Sequence, residues 1–132
     1  MTVDEAIKYC AETNKEGEAW KQCSIAPDYL ISNQGRIYSL LKNEFVKFKT
    51  NEYGRKRVFL ENKKAGTFRN YYVHVLVANE FIEKPKDVIN EKLQVHHINN
   101  NKNDNNVDNL EWLTPAQHHA IHQVKNDNDD ND

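Results

Sequence analysis

The spacing of apolar residues predicts a short helix near the N-terminus. Over residues 3–13, apolar residues recur every three or four positions, as in a helix that buries one face. Thr2 and Glu5 have the spacing of a capping box in front of this helix, and Gly17 marks its end. The sequence therefore predicts one amphipathic helix ahead of a β-rich region.

From residue 18 onward, apolar residues form short runs separated by turn-forming residues, which is typical of an antiparallel sheet. Gly35 closes the segment Asn33-Gln34-Gly35 and can take the positive φ that a tight hairpin requires. Further turn residues lie at 52–54 and 62–66. The predicted strands are residues 18–25, 29–32, 36–41, 44–49, 55–61 and 67–73.

The pattern changes again in the second half of the chain. Its predicted elements are a helix over residues 74–82, strands over 93–98 and 110–113, and a helix that begins at Thr114. Pro85 ends the first helix, and Thr114-Pro115 with Gln117 is a typical helix start. Residues 99–106 are nearly all Asn, Asp and Lys, which favour turns. The order is helix, strand, loop, strand, helix.

These patterns divide the chain into four regions. They are an N-terminal helix (1–17), an antiparallel-sheet region (18–72), the helix–strand–loop–strand–helix unit (73–122), and an acidic tail (123–132). The tail has nothing to bury, so we expect it to be disordered. No apolar run approaches the roughly 18 residues needed to span a bilayer, and no signal-peptide pattern is present, so we expect a soluble cytoplasmic protein. Cys10 and Cys23 lack a metal-ligand spacing and receive no role.

Charge is distributed unevenly along the chain. The net charge is only −2, yet residues 35–73 carry ten Lys and Arg against three Asp and Glu. Strand alternation puts Lys47 and Lys49 on one face of the predicted sheet, and a ribbon with a basic face fits the DNA major groove. An ordinary solvated face is the alternative. The candidate DNA-binding residues are Arg36, Lys47, Lys49, Tyr53, Arg55, Arg57, Lys63, Lys64 and Arg69.

Five of the six histidines lie between residues 96 and 122. His118 and His122 are four apart, so a helix presents both imidazoles on one face, where they can bind a single metal ion. Pairing of the two strands can bring His96 over the helix as a third ligand, while alternation sends His97 to the other side of its strand. Three imidazoles leave coordination positions open, as in a catalytic site, and His97 can then act as a base.

Two other interpretations of the histidines remain open. A structural zinc site would take a fourth ligand from elsewhere, such as His74 or a cysteine. Alternatively, the histidines are polar residues with satisfied hydrogen bonds and hold no metal. His74, alone at the start of its helix, is interpreted as structural.

The stretch from His96 to His122 resembles the HNH endonuclease family. It reads His-His, an Asn-rich loop, Asn-Leu-Glu-Trp, Thr-Pro and a histidine-bearing helix, and the three letters of the family name fall on His97, Asn109 and His118. The preceding VHVLVANEFI is similar to the helix ahead of the nuclease element in phage-type homing endonucleases, so the resemblance covers residues 73–122.

An upstream resemblance extends this match. The segment WKQCSIAPDYLISNQGRIYSLL is similar to the modular DNA-binding domain that accompanies such nucleases. The matching positions are Trp20, Tyr29, Ser32, Asn33, Gly35 and Arg36. Together the resemblances imply an α+β fold: a small antiparallel-sheet DNA-binding half, followed by a ββα-metal (His-Me finger) HNH nuclease element.

The resemblance also implies roles for the site residues. The Thr-Pro-x-x-His-x-x-x-His run is similar to that of colicin-type DNases, which implies that His96, His118 and His122 hold one divalent ion and that His97 is the general base. Asn109 is implied to pin the loop so that His97 keeps its orientation. Mg²⁺ or Mn²⁺ is expected in the cell, and three imidazoles also suit Zn²⁺ or Ni²⁺.

This sequence departs from the homing-type pattern at several positions. Homing-type members commonly have Asp at the position of His96 and Asn at that of His118. They also have Asp-Gly-Asn in place of residues 99–101, and Arg in place of Val75. The richer nitrogen set shifts metal preference, the loop change is expected to stay local, and the loss of the arginine removes a candidate phosphate contact.

The leading hypothesis is a metal-dependent homing-type DNA endonuclease that hydrolyses double-stranded DNA to 5′-phosphate products. A non-catalytic DNA-binding module with a structural zinc is the alternative, and a toxin-like or defence nuclease is a third. We expect a monomer or weak homodimer and no membrane partner.

Overall fold

The protein folds as a mixed α and β structure of three small antiparallel sheets and three helices. The computed structural model describes residues 2–85 and 92–124, and side chains as far as residue 121. The helices are α1 (Val3–Ala11), α2 (Val73–Phe81) and α3 (Pro115–Val124), with a 3₁₀ turn at Val107–Asn109. The strands are β1 (Trp20–Gln22), β2 (Tyr29–Ser32), β3 (Ile37–Ser39), β4 (Glu44–Phe45), β5 (Lys49–Thr50), β6 (Lys56–Asn62), β7 (Thr67–Tyr72), β8 (Gln94–His97) and β9 (Leu110–Leu113).

The first sheet has the order β1-β2-β3-β4 and packs against α1. The predicted capping box is confirmed, because Thr2 Oγ1 accepts from the Glu5 amide and Glu5 Oε1 accepts from the Thr2 amide. The buried residues shared by helix and sheet are Ala6, Cys10, Trp20, Leu30 and Tyr38. This apolar cluster fixes the position of the β2–β3 hairpin against α1.

The second sheet has the order β5-β6-β7, and the prediction of one strand over residues 44–49 is wrong. Glu44 and Phe45 pair with β3, whereas Lys49 and Thr50 pair with β6, so the chain crosses from one sheet to the other between them. Val46 and Phe48 pack on the core during this crossing. Polar and apolar residues alternate only over residues 46–49, because Phe45 and Val46 are adjacent apolar residues, and the choice of pairing partner divides the segment between the two sheets.

The third sheet is the β8–β9 hairpin, which packs with α3 to form a ββα unit. The predicted capping box of α3 is confirmed, since Thr114 Oγ1 accepts from the Gln117 amide and Gln117 Oε1 accepts from the Thr114 amide. Helix α2 contacts β2, β6, β8 and β9. Its buried side chains Val73, Leu76 and Val77 therefore join all three sheets into one core.

The cysteines are buried free thiols, as the sequence indicated. Burial raises the pKa of the Cys10 thiol to about 11, so it stays protonated at neutral pH. Cys23 lies in the main core, where burial also raises its pKa. No role in metal binding or catalysis follows for either.

Two further expectations concern membranes and the tail. Within the part of the chain that the structure describes, no helix has the length and apolar character needed to cross a bilayer. The predicted disorder of residues 123–132 concerns a segment of which 125–132 lie outside the described residues.

Candidate functional site

Two of the predicted metal ligands meet between the β8–β9 hairpin and α3. His96 belongs to β8 and pairs with Glu111 of β9, while His118 ends the first turn of α3. The two rings are 6.1 Å apart between centroids and nearly perpendicular. Both side chains are buried, at 3% and 6% exposure. The structure thus brings together two histidines that are 22 residues apart in the sequence.

This pair fits two nitrogen ligands of one divalent ion. With metal–nitrogen bonds of about 2.0–2.1 Å, two imidazoles on one ion have ring centroids roughly 5–6 Å apart. The 6.1 Å separation of His96 and His118 lies just above that range, so a small shift of either ring would let both bind one ion. Among the described side chains, no three His, Cys, Asp or Glu groups come close enough to hold an ion. The third predicted ligand, His122, lies one turn farther along α3, and its side chain is outside those described.

His97 lies on the opposite face of β8 and is fully buried. Its Nε2 is 2.8 Å from Oδ1 of Asn105, which is itself 5% exposed. Because an amide oxygen only accepts hydrogen bonds, this contact favours the tautomer of His97 with the imidazole proton on Nε2. The separation of His96 from His97 that strand alternation predicts is therefore present.

Two neighbours of His97 were not identified from the sequence. The ring of His74 packs against that of His97 with 4.7 Å between centroids, so this structural histidine belongs to the immediate surroundings of the site. Asn105 is one of many asparagines in the loop, and no spacing distinguishes it from the others. Only the folded loop identifies it.

Asn109 ties the two ends of the long loop together. Its Oδ1 accepts from the Asn99 amide at 3.0 Å, and its Nδ2 donates to Asn99 Oδ1 and to the Asp104 carbonyl, both at 2.9 Å. These contacts are those expected of a side chain that pins the loop. Asn100 has φ +61°, and asparagine tolerates this left-handed conformation better than most residues.

The outer face of the second sheet carries much of the predicted basic surface. Val58 and Leu60 of β6 point inward and are buried, so Arg57 and Phe59 point outward. The strand register pairs Lys49 with Arg57. Lys47, Lys49, Arg57, Phe59 and Asn70 together line a shallow cleft of about 320 Å³. We call this surface the outer face.

The outer face also carries an aromatic pair that sequence analysis missed. The rings of Phe59 and Phe68 are 4.4 Å apart between centroids, yet their side chains are 49% and 57% exposed. An exposed apolar pair beside cations is a common feature of binding surfaces. The inward alternation of Val58 and Leu60 is the signal that could have identified Phe59 as outward-facing.

Arg55 lies in a second cleft, near the histidines. This cleft has a volume of about 370 Å³, and Arg55, Tyr72, His74, Gln94 and Trp112 contribute to its lining. The half-buried guanidinium lies over the Tyr72 ring, and its Nε makes no hydrogen bond to the described residues. Arg55 therefore presents a cationic donor close to His74 and hence to His97.

The other predicted DNA-binding residues fall into two groups. Tyr53, Lys63, Lys64 and Arg69 are exposed at turns or on β7. Arg36, in contrast, donates to both carboxylate oxygens of Glu18, at 2.6 and 2.9 Å, and to Thr13 Oγ1 at 3.0 Å. Burial alone would raise the pKa of Glu18, but hydrogen bonds from Arg36 and Ser32 hold it below its usual value. Arg36 thus has a structural role, and we leave it out of the outer face.

Comparison with known proteins agrees with this geometry. Residues 71–120 match the family model described as HNH endonuclease. The chain is 38% identical over 98 residues to an uncharacterized HNH endonuclease, L245, of Acanthamoeba polyphaga mimivirus, covering 74% of this chain and 28% of the relative. It is 35% identical over 86 residues to the DNA endonuclease I-HmuI of Bacillus phage SP01, covering 65% of this chain and 46% of that protein.

A solved structure extends the likeness to the fold. The structure, titled as DNA binding and cleavage by the HNH homing endonuclease I-HmuI, matches with a TM-score of 0.68 and 28% identity. The match covers 80% of this chain and 57% of the other. It therefore includes the upstream sheets as well as the ββα unit. The chain spans between a quarter and somewhat over half of the length of these curated relatives.

Proposed function

We propose that the chain carries a domain of the HNH endonuclease family and that it is a metal-dependent DNA endonuclease, which hydrolyses phosphodiester bonds. The observation that carries the proposal is the ββα unit itself. It brings His96 and His118 together on one side of β8 and holds His97 on the other side, oriented by Asn105. This arrangement suits a site in which two imidazoles bind a metal ion and a third imidazole accepts a proton.

His97 acts as the general base. Its Nδ1 takes a proton from the attacking water, which lies in line with the bond to the leaving 3′ oxygen. His96 and His118, with His122, would hold a divalent ion that supplies positive charge to a non-bridging oxygen and to the leaving oxygen. Asn109 keeps the loop closed, so that the strand end bearing His97 is held in place.

The enclosure of His97 sets a condition on this mechanism. A base must come within hydrogen-bond reach of the water it activates, and the imidazole is fully buried. Side chains around it, including those of the cleft beside His74, must therefore move when DNA binds. Rearrangements of this kind at an interface are common, and they need no change in the backbone.

Double-stranded DNA is the proposed substrate, and the outer face is its proposed docking surface. Lys47, Lys49 and Arg57 would contact phosphates, and the exposed pair Phe59 and Phe68 would pack against sugars or base edges. Arg55, which lines the cleft beside His74, would contact a phosphate near the site of cleavage. The outer face would hold the duplex while the ββα unit acts on one strand.

Replacing both Lys49 and Arg57 by glutamine should weaken DNA binding and flatten its dependence on salt. Each phosphate contact adds about 0.9 to the slope of log affinity against log salt, so the double variant should lose about 2 from that slope. Fluorescence anisotropy with a labelled duplex across a salt series measures it. Replacing Lys8 and Lys15, which are exposed near the N-terminus, removes the same charge and should leave the slope nearly unchanged. Equal slopes in both double variants would place the DNA on another surface.

The proposed activity is tested by incubating the purified protein with supercoiled plasmid and Mg²⁺, Mn²⁺, Ni²⁺ or Zn²⁺, with a chelator as control. We expect metal-dependent conversion to nicked or linear plasmid, and the ratio of these products reports whether one strand or both are cut.

The enclosure of His97 favours a second candidate, a DNA-binding module with a structural zinc. Retained DNA binding and one tightly held zinc, without cleavage in any metal, would establish that module instead.

A further inference from the structure

The β2–β3 turn of the first sheet touches the loop that orients His97. Residues 32–36 form this turn, which we call the upstream turn. The amide of Val107 donates to the carbonyl of Asn33 at 2.7 Å, so the loop of the ββα unit is hydrogen-bonded to the turn through the backbone. This contact joins two parts of the chain that the sequence assigns to different regions.

A second contact lies at Gly35, whose φ is +91°. A Cβ at this position would lie 3.0 Å from Cβ of Asn105, 3.6 Å from the Asn105 carbonyl oxygen and 3.5 Å from Cγ1 of Val73. A side chain here would push Asn105 away by a few tenths of an ångström, because the backbone of Gly35 packs directly on it. Glycine is needed here for close approach as well as for its positive φ.

The upstream turn is itself firmly held. Ser32 Oγ accepts from the amides of Gln34 and Arg36, and the Asn33 side chain accepts from the Ala19 amide and donates to the Gly17 carbonyl. The ion pair between Arg36 and Glu18 adds a third anchor. A turn with this many internal bonds moves as part of the first sheet.

Asn105 therefore lies between a fixed turn and a buried imidazole. On one side Gly35 limits its movement, and on the other its Oδ1 meets Nε2 of His97 at 2.8 Å. Its neighbours in the loop are fixed too, because Asn109 binds the Asp104 carbonyl and Asn33 binds the Val107 amide. Displacement of the turn would displace Asn105, and the imidazole would lose its hydrogen bond to the Asn105 side chain.

We propose that Asn105 is a positioning residue for His97 and that the upstream turn holds it there through Gly35 and Asn33. The upstream sheet then has a role in assembling the catalytic site, in addition to any contact with DNA. This inference rests on the proposed function for its catalytic consequence. Its structural content, the fixed tautomer of His97, can be tested without cleavage.

The first test compares Asn105→Ala with Asn103→Ala, an exposed asparagine of the same loop. Loss of a group that orients a catalytic side chain typically costs about 10- to 100-fold in activity. We expect Asn105→Ala to lower the single-turnover cleavage rate by that factor, with DNA affinity within about twofold of the parent. Nitrogen-15 NMR of the histidine rings should show that His97 loses its single Nε2–H tautomer. Asn103→Ala should match the parent in both measurements.

The second test addresses the turn, through Gly35→Ala and Gly54→Ala. Both glycines have strongly positive φ, +91° and +86°, so alanine strains the backbone equally at each, but a Cβ at Gly54 meets nothing within 4 Å. Gly35→Ala should therefore reproduce the altered His97 tautomer and the slower cleavage, while Gly54→Ala should only lower the free energy of unfolding. If Gly35→Ala fails to fold, Asn105→Ala still decides the role of the amide.

Outcomes for the two proposals can be told apart. If the parent does not cleave DNA in any metal, the proposed function fails, and the NMR comparison still tests the positioning of His97. If the parent cleaves but Asn105→Ala retains the parental tautomer and rate, the positioning role is overturned. A rate loss in Asn105→Ala that comes entirely from weaker DNA binding would overturn it as well.

Discussion

Replacing His97 by alanine should lower the rate of DNA cleavage by about two to four orders of magnitude, the usual contribution of a general base. DNA affinity should remain close to that of the parent, because His97 is fully buried and is not among the residues of the outer face. Single-turnover kinetics with saturating protein measure the chemical step, and anisotropy with the same duplex measures binding. A similar loss of both quantities would refute the role of base.

Because His97 is fully buried, alanine also leaves a cavity, and slower cleavage could then reflect a damaged fold. His97→Gln separates these explanations, since glutamine restores much of the volume and can hydrogen-bond to Asn105 but is not a base. If His97 is a base, both variants should be equally slow, and the glutamine variant should unfold at nearly the parental temperature. If His97 is only a core residue, His97→Gln should cleave like the parent.

The local elements of this fold could be predicted from the sequence because each depends on nearby residues. The capping boxes at Thr2 and Thr114 and the hairpin at Gly35 are set by side chains within three or four positions, and all three are present. The division of residues 44–49 between two sheets could not be predicted. It depends on which distant strand each residue pairs with, and alternation carries no information about that choice.

The candidate site was also predictable only in part, namely where it depends on local spacing. Helical spacing and strand alternation predicted that His96 and His118 meet while His97 points away, and the structure agrees. Asn105 was not predictable, because its role arises from contact with Gly35, which lies in another sheet. The basic face was predicted from charge, yet the half-buried Arg36 side chain is paired with the buried carboxylate of Glu18. The charge of a residue in the sequence does not show whether its side chain is paired with a carboxylate inside the protein or is available to bind DNA.

The ion pair of Arg36 with Glu18 also affects the interpretation of the upstream resemblance. Three of its matching positions, Asn33, Gly35 and Arg36, make contacts within the protein that hold the turn or the loop of the ββα unit. In this chain, these positions therefore support the turn and the ββα unit structurally. The outer face, which carries the exposed cations, lies farther along the chain in the second sheet.

Replacing His118 by alanine should remove most of the bound metal. His118 is buried beside His96, and loss of one of the few nitrogen ligands should lower metal affinity by at least about 100-fold, since even changes around a ligand cost 10- to 100-fold. Elemental analysis after dialysis against a defined metal buffer measures occupancy. His119→Ala is the matched control, because His119 is the exposed neighbour on the same helix. Unchanged metal content in His118→Ala would remove His118 from the ligand set.

The dependence of the cleavage rate on metal concentration distinguishes the loss of a metal ligand in His118→Ala from the loss of the base in His97→Ala. A ligand variant should recover rate as the metal concentration rises, whereas a variant that lacks the base should stay slow at every concentration. His118→Asn sharpens the comparison, because homing-type members commonly have asparagine at this position. An oxygen ligand in place of an imidazole should shift the preferred ion from Zn²⁺ or Ni²⁺ towards Mg²⁺ or Mn²⁺. If the order of metals in the plasmid assay is the same for His118→Asn and the parent, His118 does not bind the ion.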